Sequence, residues 1–122
     1  MKNALRIGLL AVLLLLNRQG VAQEVTFLTA LEDVPLMAGL NEATQDTVNF
    51  DTPSGRIVES YAVGNVTKPS VLSYYKESLP ALGWKQIASG TFMREGEYLK
   101  ISVSVDDNNA TVHFALTPKL GN

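Results

Sequence analysis

The chain contains no cysteine. That single absence removes disulfides, thiolate-held zinc and cysteine catalysis together. It also excludes a lipidated cysteine after the leader. Histidine occurs once, at His113, so no histidine cluster exists to hold a metal. No glycine-rich phosphate loop and no serine-hydrolase elbow is visible. The one long apolar run, Ile7 to Leu16, covers about 10 residues, where a membrane-spanning helix needs roughly 20. Basic residues are scarce once the N-terminus is set aside. Lys2, Arg6 and Arg18 lie before Gln23 and no acidic residue does, so seven basic residues then face twelve acidic ones, a formal charge of -5 against -2 for the whole chain. An acidic surface repels phosphate backbones and anionic lipid heads, which argues against nucleic-acid and membrane-surface partners.

What the N-terminus does contain is the plan of a secretory signal. A short basic start at Lys2 and Arg6 precedes the apolar run; Asn17, Arg18, Gln19 and Gly20 break it. Gly20-Val21-Ala22 then offers small residues where a signal peptidase cuts. The expectation is export, cleavage after Ala22, a periplasmic location and no membrane insertion afterwards. The reading divides the chain into a signal peptide (1–22), an extended N-terminal arm (23–47) and one α+β domain (48–122). A mature chain of about 100 residues suits one domain and buries enough surface to fold without staples.

The arm has no clean period. Glu32-Asp33-Val34-Pro35 interrupts it, and Leu36, Met37 and Leu40 supply apolar side chains that would lie on the domain. Val48 to Asp51 reads as a short strand, Thr52-Pro53-Ser54-Gly55 as a turn and Arg56 to Val66 as a strand inside the sheet. Thr67 to Leu82 is the one convincing helix. Thr67 can cap it, Pro69 suits its first turn, and Val71, Tyr75, Leu79 and Leu82 form its buried stripe. Pro80 should end or kink it near Leu79, and Gly83 allows a left-handed exit before Trp84. Short strands follow at Trp84 to Ala88 and Thr91 to Arg94. Then Glu97 to Val105 and Ala110 to Thr117 alternate strictly, with Leu99, Ile101, Val103, Val105, Val112, Phe114 and Leu116 inward. The sum is an α+β fold: a single helix packed on one face of a mainly antiparallel four- to five-stranded sheet, in chain order β-(β)-α-β-β-β-β.

Several stretches together form a pattern: Asp33-Val34-Pro35-Leu36-Met37-Ala38-Gly39-Leu40, Phe50-Asp51 with Gly55-Arg56-Ile57-Val58-Glu59, Tyr74-Tyr75 with Leu79-Pro80-Ala81-Leu82-Gly83-Trp84, and Phe92-Met93-Arg94-Glu95. Over most of the mature chain this resembles a group of small exported bacterial proteins of unknown function. The resemblance implies export and one compact domain, and it attaches no activity, ligand or catalytic residue.

Candidate chemistry is thin. On the strand alternation His113 falls opposite Val112 and Phe114, on the wetter face, without a visible partner to make it a base. Asp106-Asp107-Asn108-Asn109 offers oxygens, but four residues in a tight turn are too few for calcium, and Asp and Asn favour turns in any case. Arg56, Glu59, Arg94, Glu95 and Glu97 cluster near strand ends, where a cross-strand ion pair involving Arg56 or Arg94 explains them. Tyr75 and Trp84 read as core and Tyr74 as exposed. No catalytic residue, cofactor or metal ligand is expected. The expected function is a non-catalytic periplasmic binding or assembly accessory module, acting on another envelope protein through a candidate surface of Leu36, Met37, Leu40, Arg56, Tyr74 and Arg94. The alternative is a small-ligand carrier or small enzyme with a pocket between helix and sheet.

Overall fold

The structure, a computed structural model, describes residues 24–120; the expected signal peptide lies outside the described residues. The elements run β1 (Asn41–Glu42), β2 (Val48–Thr52), β3 (Gly55–Gly64), α1 (Lys68–Ser78), β4 (Lys85–Ala88), β5 (Thr91–Arg94), β6 (Glu97–Asp106) and β7 (Asn109–Pro118). They form one seven-stranded sheet with the order β1-β3-β7-β6-β5-β4, and β2 also pairs with β3. All pairings are antiparallel. The α+β class therefore holds, with one α-helix among the described residues, while the expectation of four to five strands is too low. The strand that the sequence does not mark at all is β1, only two residues long, which no alternation pattern could reveal. It pairs with Ala62 and Val63, and β2 with Gly55 to Glu59, so the two share one flank of β3.

The helix forms where its caps allow. The Thr67 side chain accepts a hydrogen bond from the Ser70 amide at 3.2 Å, and a proline occupies the first turn. Pro80 cannot continue the α-helix, so the chain tightens into a 3-10 turn, Pro80–Leu82. Gly83, at φ +92°, turns it back toward the sheet in a conformation that favours glycine. The stripe is correct at Val71, Tyr75 and Leu79, all fully buried, and wrong at Leu82, which is 36% exposed because the 3-10 turn rotates it off the α-helical face.

Alternation in β6 and β7 places Leu99 opposite Leu116, Ile101 opposite Phe114 and Val103 opposite Val112 on the inner face. Against these pack Tyr75 (edge-on to Phe114 at 5.4 Å between centroids), Leu79, Trp84 and Phe92, all buried. Val105 shares the inner face but is exposed, at the tip of the β6–β7 hairpin. That hairpin turns in two residues, Asp107 and Asn108, with Asp107 at φ +55°. The Asp106 to Asn109 run is thereby accounted for by turn chemistry.

Residues 24–40 complete the core from one end. Their backbone folds back on itself: the Leu28 amide donates to the Val34 carbonyl at 2.9 Å and the Leu36 amide to the Thr26 carbonyl at 2.7 Å. This sinks Leu28, Leu31 and Val34 into the core alongside Leu40. The segment crosses β3 so closely that a Cβ on Gly64 would collide with the Gly39 carbonyl oxygen. Tyr75 fixes the crossing: its hydroxyl donates to the Pro35 carbonyl at 2.7 Å and accepts from the Met37 amide at 3.4 Å.

Burial pushes the Tyr75 phenol well above its ordinary value, only partly offset by the Met37 amide. An unfolded chain ionises this group near pH 10, so its contribution to stability is complete below about that pH and is lost as pH rises toward the folded value. Tyr75→Phe should cost about 1–3 kcal/mol at neutral pH, because a buried carbonyl loses its donor. The same variant should flatten the alkaline fall in melting temperature, leaving the smaller contribution of Tyr74, which burial also raises. Thermal melts from neutral pH to about 11 read both effects.

Candidate functional site

Four groupings of polar or exposed side chains lie outside the core. The first is built on Arg94, at the end of β5. Its Nη1 donates to the Leu82 carbonyl at 2.9 Å, its Nη2 to the Asp33 carboxylate, and its guanidinium lies 4.3 Å from the centre of the Trp84 ring. One side chain thus holds residues 24–40, the helix exit and the sheet. The Nε of Arg94 and the Nε1 of Trp84 are buried without a partner among the described residues.

The second is Arg56, which forks onto Glu97 with 3.0 and 3.3 Å contacts. β3 and β6 are not neighbours, so this pair reaches over β7 near Pro118. Glu97, first through its hydrogen bond and then through its charge, raises the Arg56 pKa against the opposing effect of burial. An open cleft of about 510 Å³ lies beside it, lined by Thr29, Ala30, Glu32, Asp33, Asn49 and Arg56. Both arginines thus form ion pairs, Arg94 to residues 24–40 rather than across strands.

The third is His113 on the outer face. Its ring stacks on Tyr61 at 4.6 Å, nearly parallel, and its Nε2 meets Glu59 Oε1 at 2.8 Å. Tyr61 and His113 are direct cross-strand partners, as are His113 and Ser102. An imidazole oriented by a carboxylate is half of a catalytic arrangement. The nearest cleft is open and lined by Ala43, Asp46, Tyr61, Val63 and Thr111. Among the described residues no three His, Asp or Glu side chains gather to hold a metal.

The fourth grouping is apolar. Val48, Phe50 and Val63 are each about two-fifths to one-half exposed on the outer face, with half-buried Ile57 beside Phe50 and half-buried Tyr98 opposite Met93. The helix covers only the other face.

Of the six residues singled out from sequence, Arg56 and Arg94 both lie near Asp33. Leu40 is buried; Leu36, Met37 and Tyr74 are half-buried against the core, Tyr74 edge-on to Tyr75 rather than free; Arg56 and Arg94 are engaged as above. The Asp33–Arg94 and Glu59–His113 contacts join residues 61 and 54 positions apart, and no local pattern announces either. Phe50 and Val48 were visible as strand residues, but their exposure follows from β2 lying at a sheet edge. No family model, no curated protein and no solved structure matches the chain. No helix among the described residues is long and apolar enough to cross a membrane.

Proposed function

We propose that the chain is exported, loses its first 22 residues, and works in the periplasm as a non-catalytic binding or assembly module for another envelope protein. The observation that carries this reading is the contrast between the two faces of the sheet. A carrier or small enzyme with its site between helix and sheet needs a concave, largely enclosed apolar pocket there. That space is filled by Tyr75, Leu79, Trp84, Phe92 and Phe114, each at most 2% exposed. The groove beside it, about 640 Å³ between α1 and β4, is open and lined by Ser73, Lys76, Glu77 and Gln86 as well as Leu72 and Ile87. The outer face, in contrast, is covered by no other described element and carries Ile57, Met93 and Tyr98 among serines, threonines and Lys100. Surfaces that mix aromatic and aliphatic side chains with a polar surround suit protein recognition.

Complementation of a deletion strain tests the reading. His113→Gln should fold and complement as wild type does, since it removes the imidazole without charging the face. Tyr98→Lys should melt close to wild type and fail to complement, because it places a charge in the docking face. Failure of His113→Gln in a stably folded protein would replace this reading with an active site around Glu59, Tyr61 and His113. Full complementation by Tyr98→Lys would remove the outer face as the working surface.

A further inference from the structure

We propose that β2 is a self-pairing edge: two copies of the chain join antiparallel through Thr47 to Asp51, about a two-fold axis at Asn49, into one continuous sheet. This proposal is independent of the binding-module reading, since a carrier or an enzyme could associate in the same way.

Among the described residues the sheet has two open flanks, and they are built differently. β4 is four residues long, begins with Lys85, and shifts register between Gln86 and Ala88, where the Gln86 side-chain amide also donates to the Ala88 carbonyl. A short strand, a lysine and a bulge are the usual means of keeping an edge from pairing. β2 has none of them. Its register with β3 is unbroken from Val48–Glu59 to Thr52–Gly55, and it contains no lysine, arginine or proline. Two of its five residues are large, apolar and exposed, Val48 at 41% and Phe50 at 50%. An exposed, unblunted apolar edge is a template for another strand.

The sequence of β2 says which strand. Pro53 and Ser54 form a two-residue turn that closes on the Thr52–Gly55 pair. Alternation from a bonded closing pair turns the backbone groups of Asn49 and Asp51 toward the free flank. Thr47 is already extended, at φ -68° and ψ 133°; its amide is held by the Thr44 carbonyl at 3.2 Å, so it lengthens the available strand by a carbonyl acceptor alone. With the axis at Asn49, Val48 of each copy faces Phe50 of the other on the outer face. On the inner face Asn49 meets Asn49 and Thr47 meets Asp51. Every exposed apolar side chain of the strand then finds an apolar partner. The one charge in the seam, Asp51, faces the uncharged Thr47 and keeps Arg56 as its neighbour within the chain. Like charges nowhere oppose each other, although the molecule is acidic overall. Sliding the seam by one residue would set Phe50 against the wrong face. Sliding it by two would leave Val48 against Thr52 or Phe50 against Asp46. The seam is short, so the dimer is concentration-dependent rather than obligate.

The absence of cysteine supplies a clean reporter. Directly opposed antiparallel residues lie about 5.5 Å apart at Cα, within disulfide range. In Asn49→Cys, mild oxidation should give a disulfide-linked dimer, while Lys85→Cys, on the other flank, should stay largely monomeric. Sedimentation velocity on the mature chain should show a species of twice the monomer mass growing with concentration. Phe50→Lys should lose that species while keeping its melting temperature at low concentration. A wild-type chain that is monomeric at millimolar concentration would overturn the proposal. So would a dimer that survives Phe50→Lys, or one that crosslinks through Lys85→Cys in preference to Asn49→Cys. Should Phe50→Lys not fold, the two cysteine variants decide alone.

Discussion

Leu79→Ala should lower the stability of the domain by about 2–5 kcal/mol, a large share of the roughly 5–15 kcal/mol that holds a domain folded. Leu79 is fully buried at the point where α1 ends. Its carbonyl accepts both the Leu82 amide at 2.9 Å and the Trp84 amide at 3.2 Å, so the exit of the helix is organised around this residue. Alanine keeps those backbone bonds and removes only the side chain. Neighbours pinned by Pro80 and by the Trp84 ring are poorly placed to collapse into the gap, which favours the upper part of the range. Ser73→Ala, on the exposed side of the same helix, should be nearly silent. Denaturant melts of the two variants compare them directly. Equal midpoints for Leu79→Ala and wild type would mean that the helix does not seat on the sheet through this stripe.

Arg94→Ala should loosen residues 24–40 before it unfolds the sheet. The substitution removes the Asp33 contact, the bond to the Leu82 carbonyl and the cation over Trp84 in one step. The Asp33 side chain is about one-third exposed, so its charge is rehydrated easily and that contact contributes little by itself. The Leu82 carbonyl and the indole face account for most of a loss of about 1–3 kcal/mol. Limited proteolysis followed by mass spectrometry should find faster cleavage within residues 24–40. Arg94→Lys should restore only part of the protection, because a lysine cannot fork between two acceptors while lying flat on a ring. An unchanged cleavage pattern in Arg94→Ala would mean that Leu28, Leu31 and Val34 hold this segment unaided.

The parts of this architecture that could be read from the sequence are those with local causes. Thr67, Pro69, Pro80 and Gly83 mark the helix because capping, a fixed φ and a left-handed exit act within one or two residues. The inward sets of β6 and β7 follow from a period of two that covers ten residues in each strand. The rest depends on what meets what. β1 is two residues long and exists because β3 offers it a flank. Leu28 and Leu31 have no period to betray them, yet both are buried. Tyr74 looked exposed by helical spacing, but its neighbour Tyr75 and the half-buried Met37 place apolar surface on that side. For the candidate sites the division is the same. An ion pair for Arg56 could be expected from charge density, whereas its reach to a partner two strands along the sheet could not. The pairing of Glu59 and Tyr61 with His113 depends on β3 lying beside the last strand, a matter of topology that residue types do not encode.

That topology also dictates an order of events. Strands β4 to β7 form a meander of hairpins, each able to zip from its own turn, whereas β3 has no neighbour close in sequence on its β7 side. Seven registered pairs, from Val58–Leu116 to Gly64–Ala110, must close a loop that includes the helix and every strand between them. Loop closure of this kind is the slow entropic step in sheet formation. β7 is the last of the described strands to be synthesised, so the central seam closes only after every other described strand exists. Until Pro118 is in place, the β1–β3 and β4–β6 parts of the sheet are unjoined, and the apolar residues that meet on β7 lack their partners. Late closure leaves the two parts of the sheet free to move past one another until the seven pairs of β3 and β7 lock them together.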